Sequence, residues 1–394
     1  MPFELRHRAL YAAFDRFPSP KGAATHIARF AGTMCESFDG GALALLGGED
    51  LPVHVRDGAT EIYRYPGSEP NMLDRALGFG RRLESLLEEQ RETLELCHFR
   101  DPWSGVPIIR QCGGRAKIIY EVNGLPSIEL PYRYPGISPA TLAKIRRAEE
   151  YCLMHADAIV TPSRTIAANL ERLGTAGDRI ITIPNGADLI PILPPRPEAA
   201  PSRYILYFGA LQRWQGIDTL LRSFARLADI DDLQLVICAS ARLRQSKPYR
   251  RLAARLGLED RILWHHGMSS SELIPWVAHA ELTVAPLGEC SRNLDQGCAP
   301  LKILESMALG VPVVASDLPV TREIIGEDQG GLLARADRPS ELARTIRLLL
   351  EEPERLRALG EAGRRRIEES FTWTRSCGML RELYREISGR ESRS

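Results

Sequence analysis

Short apolar runs and amphipathic stretches alternate along the whole chain, which predicts parallel sheets covered on both faces by helices. In the first half the runs place strands near residues 9–14, 42–46, 94–99, 117–122, 158–161 and 180–183. Helical spacing fills the gaps at 25–37, 72–93, 139–154 and 164–173. Five prolines in the twelve residues 190–201 then exclude a helix or an inner strand and predict an extended linker. Beyond it the alternation restarts, with strands near 204–208, 233–238, 261–265, 282–285 and 311–315. Helices are expected near 218–227, 249–256, 271–278, 300–309, 340–350, 353–370 and 374–387. The expected fold class is α/β, with two doubly wound Rossmann-like domains facing across a cleft. Their expected limits are 1–188 and 203–373, with 189–202 as linker and the helix 374–387 packing back onto the first domain. Ligands of such sheets bind beyond the carboxyl ends of the strands, so polar residues that follow strands are the candidates for chemistry.

A chain of 394 residues can bury two cores of ordinary size. Its 44% apolar and 26% charged content is that of a soluble globular protein. Lys plus Arg equals Asp plus Glu at 51 each, so no global field recruits nucleic acid. The eight cysteines are scattered without metal spacing, which favours reduced thiols in a cytoplasmic compartment. Residues 1–8 carry no secretory apolar region, and no stretch approaches the roughly 18 apolar residues needed to span a bilayer. Membrane contact is therefore expected only as peripheral contact at the inner face.

The stretch 299–316 carries the sharpest candidate chemistry. Pro300 suits the first helical position, Gly310 a left-handed stop, and Val311 to Ala315 a buried strand. Glu305 then lies just over one turn into a helix whose N-terminus can hold a phosphate through free N–H groups and the helix dipole. An ionised carboxylate accepts both hydroxyl protons of a ribose diol. Arg292, Asn293, Asp295 and Gly297 form a polar loop just before, placed to meet sugar hydroxyls. His98 and Arg100 follow a strand in the first half, where His98 reads either as a reacting group or as a core histidine. Asp229-Ile230-Asp231 falls in a turn and reads as solvated, so no metal site is expected. Pro131-Tyr132-Arg133-Tyr134-Pro135 reads as a packed loop or a platform for a sugar acceptor.

Three segments in this order resemble the retaining glycosyltransferases of the GT-B fold, family four. They are Pro184-Asn185-Gly186-Ala187-Asp188; Tyr207-Phe208-Gly209-Ala210-Leu211 with Gln215-Gly216; and Pro300-Leu301-Lys302 leading to Glu305. The resemblance implies a GT-B fold and transfer of a sugar from a nucleoside diphosphate donor to a hydroxyl acceptor, with retention at the anomeric carbon. It implies a glycine-rich approach to the donor at Lys21-Gly22-Ala23-Ala24-Thr25-His26, and Glu305 on the donor ribose. No cofactor is implied beyond the nucleoside diphosphate sugar as co-substrate. The acceptor is a sugar, a lipid-linked compound or a small molecule, in polysaccharide or glycoconjugate biosynthesis.

The chain departs from the family at several points. Ala210 and Gln215 stand where an Arg and a Lys usually bind the pyrophosphate. Gly297 stands where the first Glu of a pair is usual, and Asn123 where a His often lies. Losing two charge-assisted contacts of about 1.5–3 kcal/mol each costs roughly 10²- to 10⁴-fold in turnover. Arg213, Arg292 and Lys302 are the replacement cations, with Arg213 and Lys302 as the expected phosphate ligands. The donor set is thus Gly22, Arg213, Gln215, Arg292, Lys302 and Glu305, and the reacting centre His98, Arg100 and Asn123. The alternatives are a catalytically silent nucleotide-sugar-binding partner subunit, or a GT-B epimerase or phosphorylase.

Overall fold

The computed structural model describes residues 6–19, 22–48, 50–240, 242–326 and 329–389. It divides into two compact units, residues 1–184 with 376–394, and residues 185–375.

The first unit holds eight strands: β1 (Ala9–Arg16), β2 (Gly41–Leu46), β3 (His54–Asp57), β4 (Thr60–Tyr65), β5 (Leu96–Phe99), β6 (Lys117–Glu121), β7 (Ala158–Thr161) and β8 (Ile180–Thr182). They form one sheet in the order β3-β4-β2-β1-β5-β6-β7-β8. All neighbours are parallel except β3 with β4. The helices are α1 (Gly22–Ser37), α2 (Met72–Gln90), α3 (Pro102–Cys112), α4 (Pro126–Arg133), α5 (Pro139–His155) and α6 (Arg164–Arg172). Inner strands are apolar on both faces because both faces are covered, and Ala9 to Ala13 are all fully buried. The sheet order reverses between β1 and β5, so the crevice at their carboxyl ends is the place where a ligand is expected.

The second unit has the strands β9 (Arg203–Gly209), β10 (Leu233–Ala239), β11 (Ile262–His266), β12 (Leu282–Ala285), β13 (Val313–Ser316) and β14 (Gly331–Ala334). All are parallel in the order β11-β10-β9-β12-β13-β14, with the reversal between β9 and β12. Its helices are α7 (Ile217–Phe224), α8 (Leu243–Arg255), α9 (Ser270–Ala278), α10 (Leu301–Ala308), α11 (Pro319–Ile325), α12 (Pro339–Glu351) and α13 (Pro353–Ser370). A last helix, α14 (Trp373–Ser388), begins in this unit and runs from residue 376 onward in the first. There Tyr384 is buried with its ring edge-on to Phe38.

Some elements differ from the sequence reading, each for a physical reason. The β3–β4 pair is absent from that reading because β4 buries charge: Glu61 is held by His7 Nε2 at 2.9 Å and by Tyr63. Arg64 donates to the Phe17 carbonyl at 2.9 Å and the Pro52 carbonyl at 3.1 Å. Helices α3 and α4 hide behind their prolines, and residues 131–133 belong to α4 rather than to a loop. Pro300 is the residue before α10, in extended conformation, rather than its first helical position. Gly310 has the expected positive φ, +73°, and its N–H donates to Met307 at 2.9 Å.

The proline-rich segment belongs to the second unit from Asn185 onward. Asn185 Nδ2 donates to the Ala299 carbonyl at 3.1 Å, and the Ala187 N–H to Phe371 at 2.8 Å. His279 Nε2 meets the Pro194 carbonyl at 2.8 Å, and Arg364 donates to Ile190 at 3.1 Å. These straps hold chain that has no sheet or helix of its own. All eight cysteines are unbridged, and no helix of the described residues is long and apolar enough to cross a membrane.

Candidate active site

In the second unit, the loops that follow β9 and β12 flank the point where the strand order reverses. They are locked together. The Trp214 carbonyl accepts from Gly288 N–H at 2.9 Å and from Asn293 Nδ2 at 3.0 Å, and Asn293 also donates to Gly288 O at 2.8 Å. Gly216 turns the first loop with φ +68°, and a Cβ there would fall 1.7 Å from the Pro286 carbonyl oxygen. Gly216→Ala is therefore expected to cost more than about 1 kcal/mol, because neither backbone can yield. Calorimetric melting checks this; an unchanged melting temperature contradicts the close approach.

That scaffold gathers most of the expected donor set. Arg213, Trp214 and Gln215 form a single helical turn, with Arg213 exposed. Lys302, in the first turn of α10, donates to Gln215 Oε1 at 2.6 Å and lies 4.1 Å from the centre of the Tyr207 ring. Arg292 stacks over Trp214 at 4.8 Å and donates to Asn293 Oδ1 at 3.0 Å. Glu305 follows Lys302 by three residues, so both project from one side of α10. It is part-buried and accepts no hydrogen bond from a described residue. Residues 292–296 are a wide helical turn rather than a loose loop, and Asn293 is fully buried with its amide engaged, so it offers nothing to a sugar. Gly297 has φ +89°, a conformation in which a glutamate would be strained.

Burial lowers Lys302 to about 7, and burial raises Glu305 to about 7 against the opposing pull of Lys302. A bound diphosphate favours the ammonium and so raises Lys302. Nucleoside diphosphate binding is thus expected to take up protons above about pH 7 and to weaken as the pH climbs further. Titration calorimetry in buffers of different ionisation heat reads the proton count; a count of zero at pH 8 contradicts it.

In the first unit, His98, Arg100 and Asn123 converge on a residue that the sequence reading did not single out, Glu121. This carboxylate ends β6 and is 1% exposed. Its Oε1 accepts from Arg100 Nε at 2.6 Å and from Asn123 Nδ2, with His26 Nδ1 3.2 Å away. Its Oε2 accepts from Tyr11 Oη at 2.8 Å, with His98 Nε2 at 3.3 Å. Burial alone would raise its pKa, but His26, Arg100 and His98 together hold it well below the usual carboxylate range.

His98 is wholly buried, with Nδ1 hydrogen-bonded to Tyr384 Oη at 2.7 Å, so it supports Glu121 and does not face a ligand. Arg100 also reaches Asp15 at 3.3 Å and the Ala23 carbonyl at 3.4 Å, next to the Gly22 turn that opens α1. Lys21 lies outside the described residues. The visible signal for Glu121 is a charge inside an apolar strand, which must find partners when both sheet faces are covered.

Asp229, read as solvated, pairs with Arg347 at 2.6 Å on the surface.

Two Rossmann-like units, each with charged groups assembled where its strand order reverses, define the GT-B class of fold. The chain belongs to the glycosyltransferases of this fold, of family-four type. Residues 20–190 match the family model Glycosyltransferase Family 4, and residues 194–366 match Glycosyl transferases group 1. A D-inositol 3-phosphate glycosyltransferase of Xylanimonas cellulosilytica is 29% identical over 69% of this chain and 67% of that protein. An MMP alpha-(1->4)-mannosyltransferase of Mycolicibacterium hassiacum is 30% identical over 59% of this chain and 54% of that protein. The match thus spans between about half and two thirds of these relatives. Sucrose-phosphate synthase of Thermosynechococcus elongatus shares the fold at a TM-score of 0.79 and 18% identity, over 98% of this chain and 100% of that one. An Anabaena protein solved with UDP and glucose does so at 0.73 and 16%, over 96% and 99%.

Proposed function

We propose that the chain is a retaining glycosyltransferase that moves a sugar from a nucleoside diphosphate sugar to a hydroxyl acceptor without a metal ion, in polysaccharide or glycoconjugate biosynthesis. The observation that carries this reading is the group at the β9–β12 reversal: Glu305, which accepts no hydrogen bond from a described residue, Lys302 on the same helix, and Arg213 and Arg292 on the locked loops beside it. Glu305 takes the two ribose hydroxyls. Lys302 and Arg213 neutralise the diphosphate, and the N–H groups opening α10 add to the field. The fold shared with the Anabaena protein, whose structure holds UDP and glucose, supports a nucleotide-sugar donor. Relatives named for glycosyl and mannosyl transfer support a hydroxyl acceptor.

Breaking the sugar–phosphate bond leaves negative charge on the diphosphate and positive charge on the sugar, so fixed cations aimed at the leaving group lower the barrier. A departing phosphate oxygen takes the proton of the incoming hydroxyl on the same face, which keeps the anomeric configuration. On the first unit, Arg100 and Asn123 are the groups offered to the reacting centre, and Glu121 with His98 and Tyr11 fixes them.

The test is transfer by the purified chain across a panel of nucleoside diphosphate sugars, with chelator present, and assignment of the product anomer by NMR. A retained anomer is expected. Nucleotide binding without turnover favours a silent subunit, and sugar interconversion without acceptor or dependence on free phosphate favours an epimerase or a phosphorylase; each overturns the proposal.

A further inference from the structure

The outer face of α8 carries a charge asymmetry that the donor site does not use. In a chain of zero net charge, residues 242–258 contain six cations and no acid. Arg242, Arg244, Lys247, Arg250, Arg251 and Arg255 are all exposed, and none makes an ion pair with a described residue. The one side-chain contact among them that bears on charge is Arg250 over the Trp264 ring at 5.1 Å, which leaves the guanidinium edge free. Ser246, Leu252 and Ala253 form the buried side of the helix. At 100° per residue, Arg244, Lys247, Arg250, Arg251 and Arg255 fall on the opposite side as one stripe. Leu243 lies within that stripe and is 57% exposed, an apolar side chain set among positive ones.

We propose that this face of α8 docks the chain onto an anionic phospholipid surface. Like charges crowded on one helix face repel and have no internal partner here, so the arrangement favours a surface that supplies many negative charges at once. Each Lys or Arg brought to such a surface raises partition about fivefold, and the attraction fades with salt. Leu243 adds the apolar contact with the headgroup boundary that a free polyanion does not offer. This inference is independent of the donor assignment, because no residue of the stripe belongs to the donor set.

The experiment is sedimentation of the whole chain with vesicles of phosphatidylcholine mixed with phosphatidylglycerol, and with vesicles of phosphatidylcholine alone. Binding is expected to the mixed vesicles only, and to be lost as salt rises. The triple variant R244E/R251E/R255E is expected to bind about 100-fold more weakly or worse, at fivefold per cation with repulsion added. Lysines at the same three positions are expected to keep the binding. Leu243→Ser is expected to weaken it without changing its salt dependence. UDP binding and circular dichroism of every variant are expected to match the parent. Equal binding to neutral vesicles, or a triple variant that sediments like the parent, overturns the proposal. Tighter binding to duplex DNA than to mixed vesicles at the same salt overturns it too, and assigns the stripe to nucleic acid.

Discussion

Replacing Glu305 by alanine is expected to lower nucleoside diphosphate affinity and kcat/KM by about 10²- to 10⁴-fold, through the loss of two hydrogen bonds to a charged acceptor at about 1.5–3 kcal/mol each. The effect is confined to ligand binding because Glu305 accepts no hydrogen bond from a described residue. Removing a carboxylate that burial already raises to about 7 relieves the folded state rather than breaking it. The variant is therefore expected to melt at the parent temperature or slightly above. Calorimetric titration with UDP, ADP and GDP, beside a melting curve, reads both. A variant that binds like the parent removes Glu305 from the ribose. One that loses binding together with its fold leaves the loss unassigned to the ribose and sends the test to Glu305→Gln.

The largest stability effect is expected at Glu121. Glu121→Ala leaves the Arg100 guanidinium, whose side chain is 7% exposed, without its main partner. Breaking a buried ion pair by removing one member costs about 3–5 kcal/mol. For a unit of this size that is a fall in Tm of about 6–20 °C. Glu121→Gln keeps the shape but not the charge and is expected to fall between.

The pH dependence of this effect has a definite sign. The folded pKa of Glu121 lies well below the unfolded value, so its stabilisation is complete above about pH 4.3. It is lost as the pH falls through the folded value. The difference between parent and Glu121→Ala is thus expected to be full at pH 7 and to narrow below about pH 4. Urea midpoints at the two pH values measure it, and a difference that grows in acid contradicts the network.

The alternation of apolar runs and helices was enough to place the inner strands of both sheets, because strands such as β9 and β12 must be apolar along their length, but it missed the short edge strand β14 and the helix α11 before it. Elements that break this rule were not legible. In β4 the polar residues Glu61 and Arg64 point inward, made tolerable by His7 and by backbone carbonyls far away in sequence. In α3 the cap at Asp101 does what the pattern could not announce: its Oδ1 accepts from Ser104 N–H at 2.9 Å, and its Oδ2 accepts from Phe14 N–H at 2.6 Å.

The cluster proposed for the donor was legible as a cluster because its residues sit close together after two strands and around one helix opening. Glu121 was not, since its partners Tyr11, His26, His98 and Arg100 are gathered from three separate segments by the sheet order. Likewise Asn293 has the composition of a ligand but serves the backbone of Trp214 and Gly288.

The most direct test of the donor assignment is a crystal structure of the chain grown with UDP. The ribose hydroxyls are expected on the Glu305 carboxylate, with the diphosphate against Lys302 and the Arg213 turn at the carboxyl ends of β9 and β12. A nucleotide seated elsewhere on the second unit, with Glu305 and Lys302 left untouched, would show that this reversal point is not the donor site.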